Sequence, residues 1–203
     1  MISRRGFFGG AAALALSTVP AWASRGEREG EWVIGIIPDG RFTIDMVDIN
    51  RIAPEFRRQD VGFKGPEGPG TIVIDVAARQ LFWVKAGGRA VRYGLSVGRE
   101  GMGWQGSVTV GRKAKWPTWT PTANMRARNP KLPVRMAGGP ENPLGARALY
   151  LFRDGRDTIY RIHGTNEPWS IGKAASSGCF RMLNQHVFEL YAEVPVGTPV
   201  VVR

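Results

Sequence analysis

The sequence contains few of the side chains that build disulfides and metal sites. Its 203 residues include one cysteine, Cys179, and two histidines, His163 and His186. A single cysteine excludes an internal disulfide, so it is either a small buried hydrophobe or a reactive thiol. The three side chains match no standard zinc spacing and a fourth ligand is not evident, so we expect no metal. Long apolar runs are also missing, because residues 6–19 are too few to cross a bilayer.

Acidic residues are scarce, with 17 Asp and Glu against 28 Lys and Arg, which leaves a net charge of +11. Such a charge indicates either plain solubility or a polyanionic partner, such as nucleic acid, anionic lipid or an acidic polymer. No zinc-finger spacing, basic heptad helix or RNA-binding strand motif is present. We therefore expect no nucleic-acid partner.

The first 23 residues have the pattern of a cleaved export signal. A basic start with Arg4 and Arg5 precedes a mildly apolar run, and AWA at residues 21–23 offers small residues to a signal peptidase. The SRRGFF stretch resembles a twin-arginine signal, and an ordinary secretory signal is the alternative. The sequence thus predicts a periplasmic protein without a membrane span once the signal is removed.

The rest of the chain divides into an extension or linker, residues 24–70, and a main domain, residues 71–203. Short β-branched and aromatic runs bounded by turn residues predict strands at 71–76, 80–85, 90–97, 107–110, 148–152, 158–163 and 199–202. One helix is expected at 183–194, where Asn184 could be the N-cap and His186 is expected to be partly exposed. These features predict a mainly β (α+β), mixed-sheet, β-sandwich-like domain.

A long connection of residues 112–147 interrupts the predicted strands and contains six prolines and two tryptophans. Loops of that length are usually lids, binding loops or disordered segments. Trp116 and Trp119 argue against disorder, because large rings need something to pack on. They either anchor the loop on the sheet, which we favour slightly, or line a substrate groove.

The surroundings of Cys179 favour a reactive thiol. It follows Ser177 and Gly178 on a turn that leads to the predicted helix, whose N-terminal amides favour a thiolate. His163 ends a predicted strand and is followed by Gly164, so its imidazole could accept the thiol proton.

These residues also carry a resemblance to a known family. The segment IHGTNEPWSIGKAASSGCFRM, residues 162–182, resembles the signature of the L,D-transpeptidase family with the YkuD-type catalytic domain. The similarity comprises a His-Gly pair and a Ser-Ser-Gly-Cys-Phe-Arg box at residues 176–181. It continues through AVRYGLSVGR, NPLGARALYLF and VPVGTPVVV and covers roughly residues 70–203.

The resemblance implies a domain of mixed β-sheets with few helices, and a role for each residue of the motif. Cys179 would be the nucleophile and His163 the general acid and base. The Gly164 carbonyl would orient the imidazole, and the Gly178 N–H would bind the oxyanion. Ser177 would orient the box by a hydrogen bond, and the Arg181 side chain would meet a substrate carboxylate.

The implied reaction is attack on the bond between an L-centre and D-alanine in a peptidoglycan stem tetrapeptide. The thioester would pass to an amine, which cross-links the wall or attaches a protein such as a lipoprotein to it, and no cofactor is implied. Hydrolysis of the same thioester, as in an L,D-carboxypeptidase or amidase, is the alternative. A papain-like protease would place Cys before His, and a wall-binding module with an inactive site would not need an intact His163 and Cys179 pair.

Overall fold

A computed structural model describes residues 32–98, 103–174 and 178–203 of the chain. In those ranges twelve strands and two α-helices confirm the expected mainly β fold with a mixed sheet and few helices. The predicted export signal, residues 1–23, and Ser177 lie outside the described residues. Neither helix of the described ranges is long and apolar enough to span a membrane.

Ten strands form one large sheet. They are β3 (Gln59–Gly62), β4 (Ile72–Asp75), β5 (Gln80–Lys85), β6 (Arg89–Gly94), β7 (Ser96–Val97), β8 (Gly106–Lys115), β9 (Arg147–Arg153), β10 (Arg156–His163), β11 (Phe180–Arg181) and β12 (Pro199–Val202). Their lateral order is β3-β6-β5-β4-β12-β8-β9-β10-β11-β7. The β10–β11 and β12–β4 pairs are parallel, and the other pairs are antiparallel.

The predicted strand at residues 90–97 is divided between two places in this sheet. Leu95 alone separates β6 from β7, yet β6 is second in the lateral order and β7 is last. Two strands joined by one residue cannot lie at opposite ends of a flat sheet. The sheet therefore curls round a shared core, which contains fully buried side chains from both ends, such as Tyr93 and Phe180.

The predicted loop of residues 112–147 is shorter and more regular than expected. Its first residues continue β8 as far as Lys115, because they pair with the start of β9. A short helix, α1 (Ala123–Arg128), then begins after Thr122, whose hydroxyl accepts from the Met125 amide. The pairing partner of the extra strand residues is more than thirty positions away, so no local pattern revealed it.

The helix α2 (Asn184–Glu193) packs its predicted apolar stripe on the sheet, with Leu183, Val187, Leu190 and Val194 fully or almost fully buried. The expectation that Asn184 is the N-cap is wrong, because Leu183 occupies that position and makes no side-chain cap. The expected partial exposure of His186 is also wrong: it is 6% exposed and lies beside Tyr93. The buried face of α2 therefore includes His186 and is wider than the five apolar residues of the predicted stripe.

A hairpin of β1 (Val33–Asp39) and β2 (Phe42–Val47) precedes the large sheet and packs on α2. Val47 and Ile52 form a small apolar cluster with Ile171 and Leu183. Through this cluster and through β3, residues 32–62 pack against the domain that follows them. The boundary predicted at residue 70 stays a prediction.

Candidate active site

The pairing of β10 with β11 brings the two catalytic candidates to one face of the sheet. In this parallel pair His163 lies opposite Arg181, and Ile162 lies opposite Phe180. Because side chains alternate along a strand, Cys179 and Arg181 share a face with His163. Ile162 and Phe180 are fully buried on the other face. Residues eighteen positions apart in the chain thus become lateral neighbours, and Cys179 directly precedes the second strand of the pair.

The imidazole of His163 is 3% exposed and its Nδ1 lies 2.6 Å from the Gly164 carbonyl oxygen. A carbonyl can only accept, so Nδ1 carries the proton and Nε2 keeps its lone pair. Burial is the main cause that lowers the pKa of His163 to about 3, and the charge of Arg181 acts in the same direction. Hydrogen bonds to the backbone of Gly164 and Leu144 oppose this shift. The resting imidazole is therefore neutral.

Cys179 is a free, half-buried thiol whose Sγ lies 3.9 Å from the Ile159 carbonyl oxygen. Burial raises its pKa, although the Arg161 backbone and the charges of Arg161 and Arg181 act against that shift. With the pKa of the thiol raised and that of His163 lowered, the two groups rest as neutral thiol and neutral imidazole. Nucleophilic attack by this thiol would therefore require its proton to move to a base.

The backbone beside the thiol is strained. Ile159 has a φ of 67° within a bulge, where the pairing of β10 with β9 shifts between Asp157 and Arg161. A β-branched side chain at positive φ costs about 1–2 kcal/mol. Asp157 accepts from the Ile159 amide at 2.8 Å and so helps to hold this conformation. The predicted strand at 158–163 gave no sign of the bulge.

A row of cations and one aromatic ring crosses the sheet on the Cys179 face. Arg161 pairs with Tyr150 across β9, and Tyr150 pairs with Arg112 across β8. The two guanidinium carbons lie 4.6 and 3.5 Å from the Tyr150 ring centroid. Arg161 also forms two 3.0 Å bonds to Asp157, whereas Arg112 is exposed. Two strand registers create this row, so sequence reasoning missed it.

Arg181 and Gly178 flank the thiol in the chain. The Arg181 side chain is 11% exposed and donates to Glu167 at 3.1 Å. Gly178 has a φ of 79°, a left-handed conformation that glycine adopts without strain. A side chain at this position would therefore distort the turn that presents the Cys179 amide.

The predicted groove tryptophans make contacts within the loop and with the β1–β2 hairpin. Trp116 donates from Nε1 to Asp39 at 2.7 Å, and its ring lies 4.8 Å from that of Phe42. Trp119 exchanges two backbone hydrogen bonds with Met136, of 2.9 and 2.8 Å. The contacts of Trp116 are those of an anchor on the hairpin.

Within residues 32–98, 103–174 and 178–203, no three His, Cys, Asp or Glu side chains are grouped so that they could hold a metal ion. His186 belongs to α2 and lies in the core next to Tyr93, where the ring centroids are 5.6 Å apart. The zinc arrangement considered from sequence would have required His186 beside Cys179.

Comparison with known proteins gives one consistent family. The model of the YkuD L,D-transpeptidase catalytic domain matches residues 69–202. A probable L,D-transpeptidase of Escherichia coli, ErfK/SrfK, is 38% identical over 138 residues, which are 64% of this chain and 42% of that protein. A putative L,D-transpeptidase of Fuscovulum blasticum is 36% identical over 135 residues, 66% of this chain and 69% of that protein. The chain thus spans less than half the length of the E. coli relative.

A solved structure from Brucella melitensis has the same fold. It is described as a probable carnitine operon oxidoreductase, is 49% identical, and has a TM-score of 0.51 over 77% of this chain and 99% of that one. Its description names another class of activity and applies to that protein alone.

Proposed function

The chain belongs to the family of YkuD-type L,D-transpeptidase catalytic domains, and from this membership we propose that it is a peptidoglycan L,D-transpeptidase. Cys179 attacks the carbonyl between the L-centre and D-alanine of a stem tetrapeptide, D-alanine leaves, and an amine takes the acyl group from the thioester. One observation carries the proposal. It is the parallel pairing of β10 with β11, in which His163 lies opposite Arg181, two residues beyond Cys179, while Nδ1 of His163 is bound to the Gly164 carbonyl.

The protonation states set the order of events. As the thiol of Cys179 attacks, its proton passes to Nε2 of His163, while Nδ1–H stays bonded to Gly164. A buried imidazolium with a pKa of about 3 is a strong acid. It therefore gives its proton readily to the departing D-alanine amine. The same histidine then deprotonates the acceptor amine and returns the site to neutrality.

The developing oxyanion needs donors that face the attacked carbonyl. The Gly178 and Cys179 amides are the proposed donors, each worth about 2.7–4 kcal/mol in such sites. The left-handed conformation of Gly178 supports this, because it turns the backbone just before the nucleophile. Ser177 is proposed to orient this turn by a hydrogen bond.

The cations around Cys179 suit a substrate with free carboxylates. Arg181 is proposed to support the site and to meet a stem-peptide carboxylate, in exchange with or in addition to Glu167. The exposed Arg112 guanidinium, stacked on Tyr150, extends the positive surface away from the nucleophile. Trp116 and Trp119 are secondary candidates for contact with the glycan or peptide, because the contacts of Trp116 already support an anchoring role.

The acceptor is proposed to be an amine of a neighbouring stem peptide, or of a lipoprotein that is joined to the wall. The relatives' descriptions as transpeptidases support transfer over hydrolysis. We further propose export to the periplasm through a signal at residues 1–23. Residues 24–70 then form an extension and residues 71–203 the catalytic domain.

Product analysis tests the proposal. Purified protein is incubated with disaccharide-tetrapeptide, and the muropeptides are separated and weighed. Dimers linked between two third residues are expected, together with released D-alanine. Tripeptide alone would establish hydrolysis instead. Cys179→Ala is the control, and product from that variant would overturn the assignment of the nucleophile.

A further inference from the structure

Asn184 does not cap its helix, and its amide bonds two other segments instead. Oδ1 accepts from the Ala146 amide at 3.0 Å, and Nδ2 donates to the Thr165 carbonyl at 2.9 Å. The first of these partners lies just before β9 and the second just after β10. One side chain at the start of α2 therefore fastens two connections that meet near His163.

The two fastened segments also supply backbone groups that act on the imidazole. The Gly164 carbonyl, next to Thr165, lies 2.6 Å from Nδ1 of His163. The backbone of Leu144, two residues before Ala146, also acts on this ring and raises its pKa. Movement of either segment would change the position or the tautomer of the imidazole.

Glycines at two positions make room for this amide. A Cβ built on Gly145 or on Gly164 would overlap Oδ1 of Asn184. Gly145 also has a φ of 63°, which glycine tolerates best. Both glycines therefore fit a tightly packed amide, and the packing leaves Asn184 little freedom to move.

We propose that Asn184 is a positioning residue for the catalytic histidine. It touches neither His163 nor Cys179 in the hydrogen bonds described. It holds the Gly164 carbonyl in place through Thr165, and the Leu144 backbone through Ala146. The kinetic part of this inference rests on the proposed transpeptidase function, and the spectroscopic part below does not.

Gln185 is a matched control. It is the next residue of α2, and its amide makes the same kind of double contact, accepting from the Val47 amide at 2.6 Å and donating to the Val47 carbonyl at 3.0 Å. That contact joins α2 to the β1–β2 hairpin instead of to the histidine segments. A merely structural role for Asn184 predicts the same behaviour for the two alanine variants.

The test uses the full chain with Asn184→Ala, Asn184→Asp and Gln185→Ala. We expect Asn184→Ala to lower kcat by about 10- to 100-fold, because small misplacements of catalytic groups cost that much, and to change KM little. Asn184→Asp keeps the acceptor for the Ala146 amide but loses the donor to the Thr165 carbonyl. Its kcat should therefore lie between those of wild type and Asn184→Ala. Gln185→Ala should retain the wild-type kcat, while its free energy of unfolding should fall by about as much as that of Asn184→Ala.

Nitrogen NMR of the His163 ring provides a readout that needs no substrate. In wild type and Gln185→Ala the Nδ1–H tautomer should dominate, and Asn184→Ala should show a mixture of tautomers and an altered pKa. If Asn184→Ala fails to fold, Asn184→Asp decides the question by the same spectrum. An unchanged ring spectrum in the folded Asn184 variant would overturn the proposal. Absence of transpeptidation in wild type, with the spectrum changed as expected, would count against the proposed function alone.

Discussion

Removal of the Asp39 carboxylate should cost far more stability than its place at the end of a hairpin strand suggests. Asp39 binds Arg147 through two bonds, of 2.6 and 2.8 Å, and also accepts from Nε1 of Trp116. The Arg147 side chain is 3% exposed and its guanidinium lies over the Phe188 and Tyr191 rings. This one carboxylate therefore joins the hairpin to the start of β9 and to Trp116.

The magnitude follows from what Asp39→Ala leaves behind. Arg147 would keep its hydrogen bond to the Ala146 carbonyl, and the indole N–H of Trp116 would lose its Asp39 acceptor. Breaking a buried ion pair by removal of one partner costs about 3–5 kcal/mol. The Asp39 side chain is 15% exposed, so water can reach part of the vacated space. We therefore expect the lower end, a loss of about 3 kcal/mol in the free energy of unfolding.

Urea unfolding followed by circular dichroism measures this loss on the full chain. Asp60→Ala is the matched control, because Asp60 is 56% exposed and its partner Arg58 keeps a second bond to Glu189. An exposed pair of that kind is worth about 0–1 kcal/mol. If Asp39→Ala loses no more than Asp60→Ala, the assignment of a buried, stabilising ion pair is wrong.

The same carboxylate predicts a dependence on pH. Its hydrogen bond to Arg147 lowers the pKa of Asp39 below 3.8. A carboxyl whose pKa is lower in the folded state stabilises the fold at pH values above its unfolded pKa. That contribution is lost as the pH falls through the folded pKa. The stability gap between wild type and Asp39→Ala should therefore be full near neutrality and should narrow in acid.

Three further predictions concern the thiol, the buried histidine and the strained residue. Cys179→Ala should abolish turnover yet keep the melting temperature nearly unchanged. In intact-protein mass spectra a carbapenem should add its mass to the wild-type protein only, and an adduct on the variant would contradict this prediction. Burial lowers the pKa of His186 from its ordinary value of 6.5 to about 4. Between these two pH values the unfolded state therefore binds more protons than the folded state. The free energy of unfolding should therefore rise with pH across this window and stay at its maximum above it. His186→Leu should flatten that rise, as measured by urea titrations at successive pH values, and an unchanged slope would count against this prediction. Ile159 is 68% exposed at a φ of 67°, so Ile159→Gly should raise the free energy of unfolding by about 1 kcal/mol, and a clear loss would refute strain there.

Local patterns predicted the elements whose side chains alternate between core and surface. β5 and β12 have the bounds expected from their apolar and β-branched runs, and α2 buries the predicted stripe. The hairpin strands β1 and β2 were not predicted, since apolar residues such as Ile34 and Ile36 lie on their exposed face. Side-chain periodicity reports burial, so it fails where an apolar side chain remains exposed.

The residues of the candidate site also form two groups, those that the sequence revealed and those that it did not. His163 and Cys179 stood out because their types are rare in the chain and their neighbours match a family signature. Arg112, Tyr150 and Asn184 carried no such signal. Their importance depends on partners in other strands, which strand register and helix packing select.

The order of residues alone determined the chemistry available to this protein: one thiol, a histidine followed by glycine, and enough alternating apolar runs for a β domain. Folding decided which of these groups meet and in what ionic state. Strand pairing set His163 opposite Arg181, two residues beyond the thiol, and exclusion of water moved the pKa of the imidazole downward and that of the thiol upward. Both effects arise from contacts between residues far apart in the chain, and only the three-dimensional structure contains those contacts.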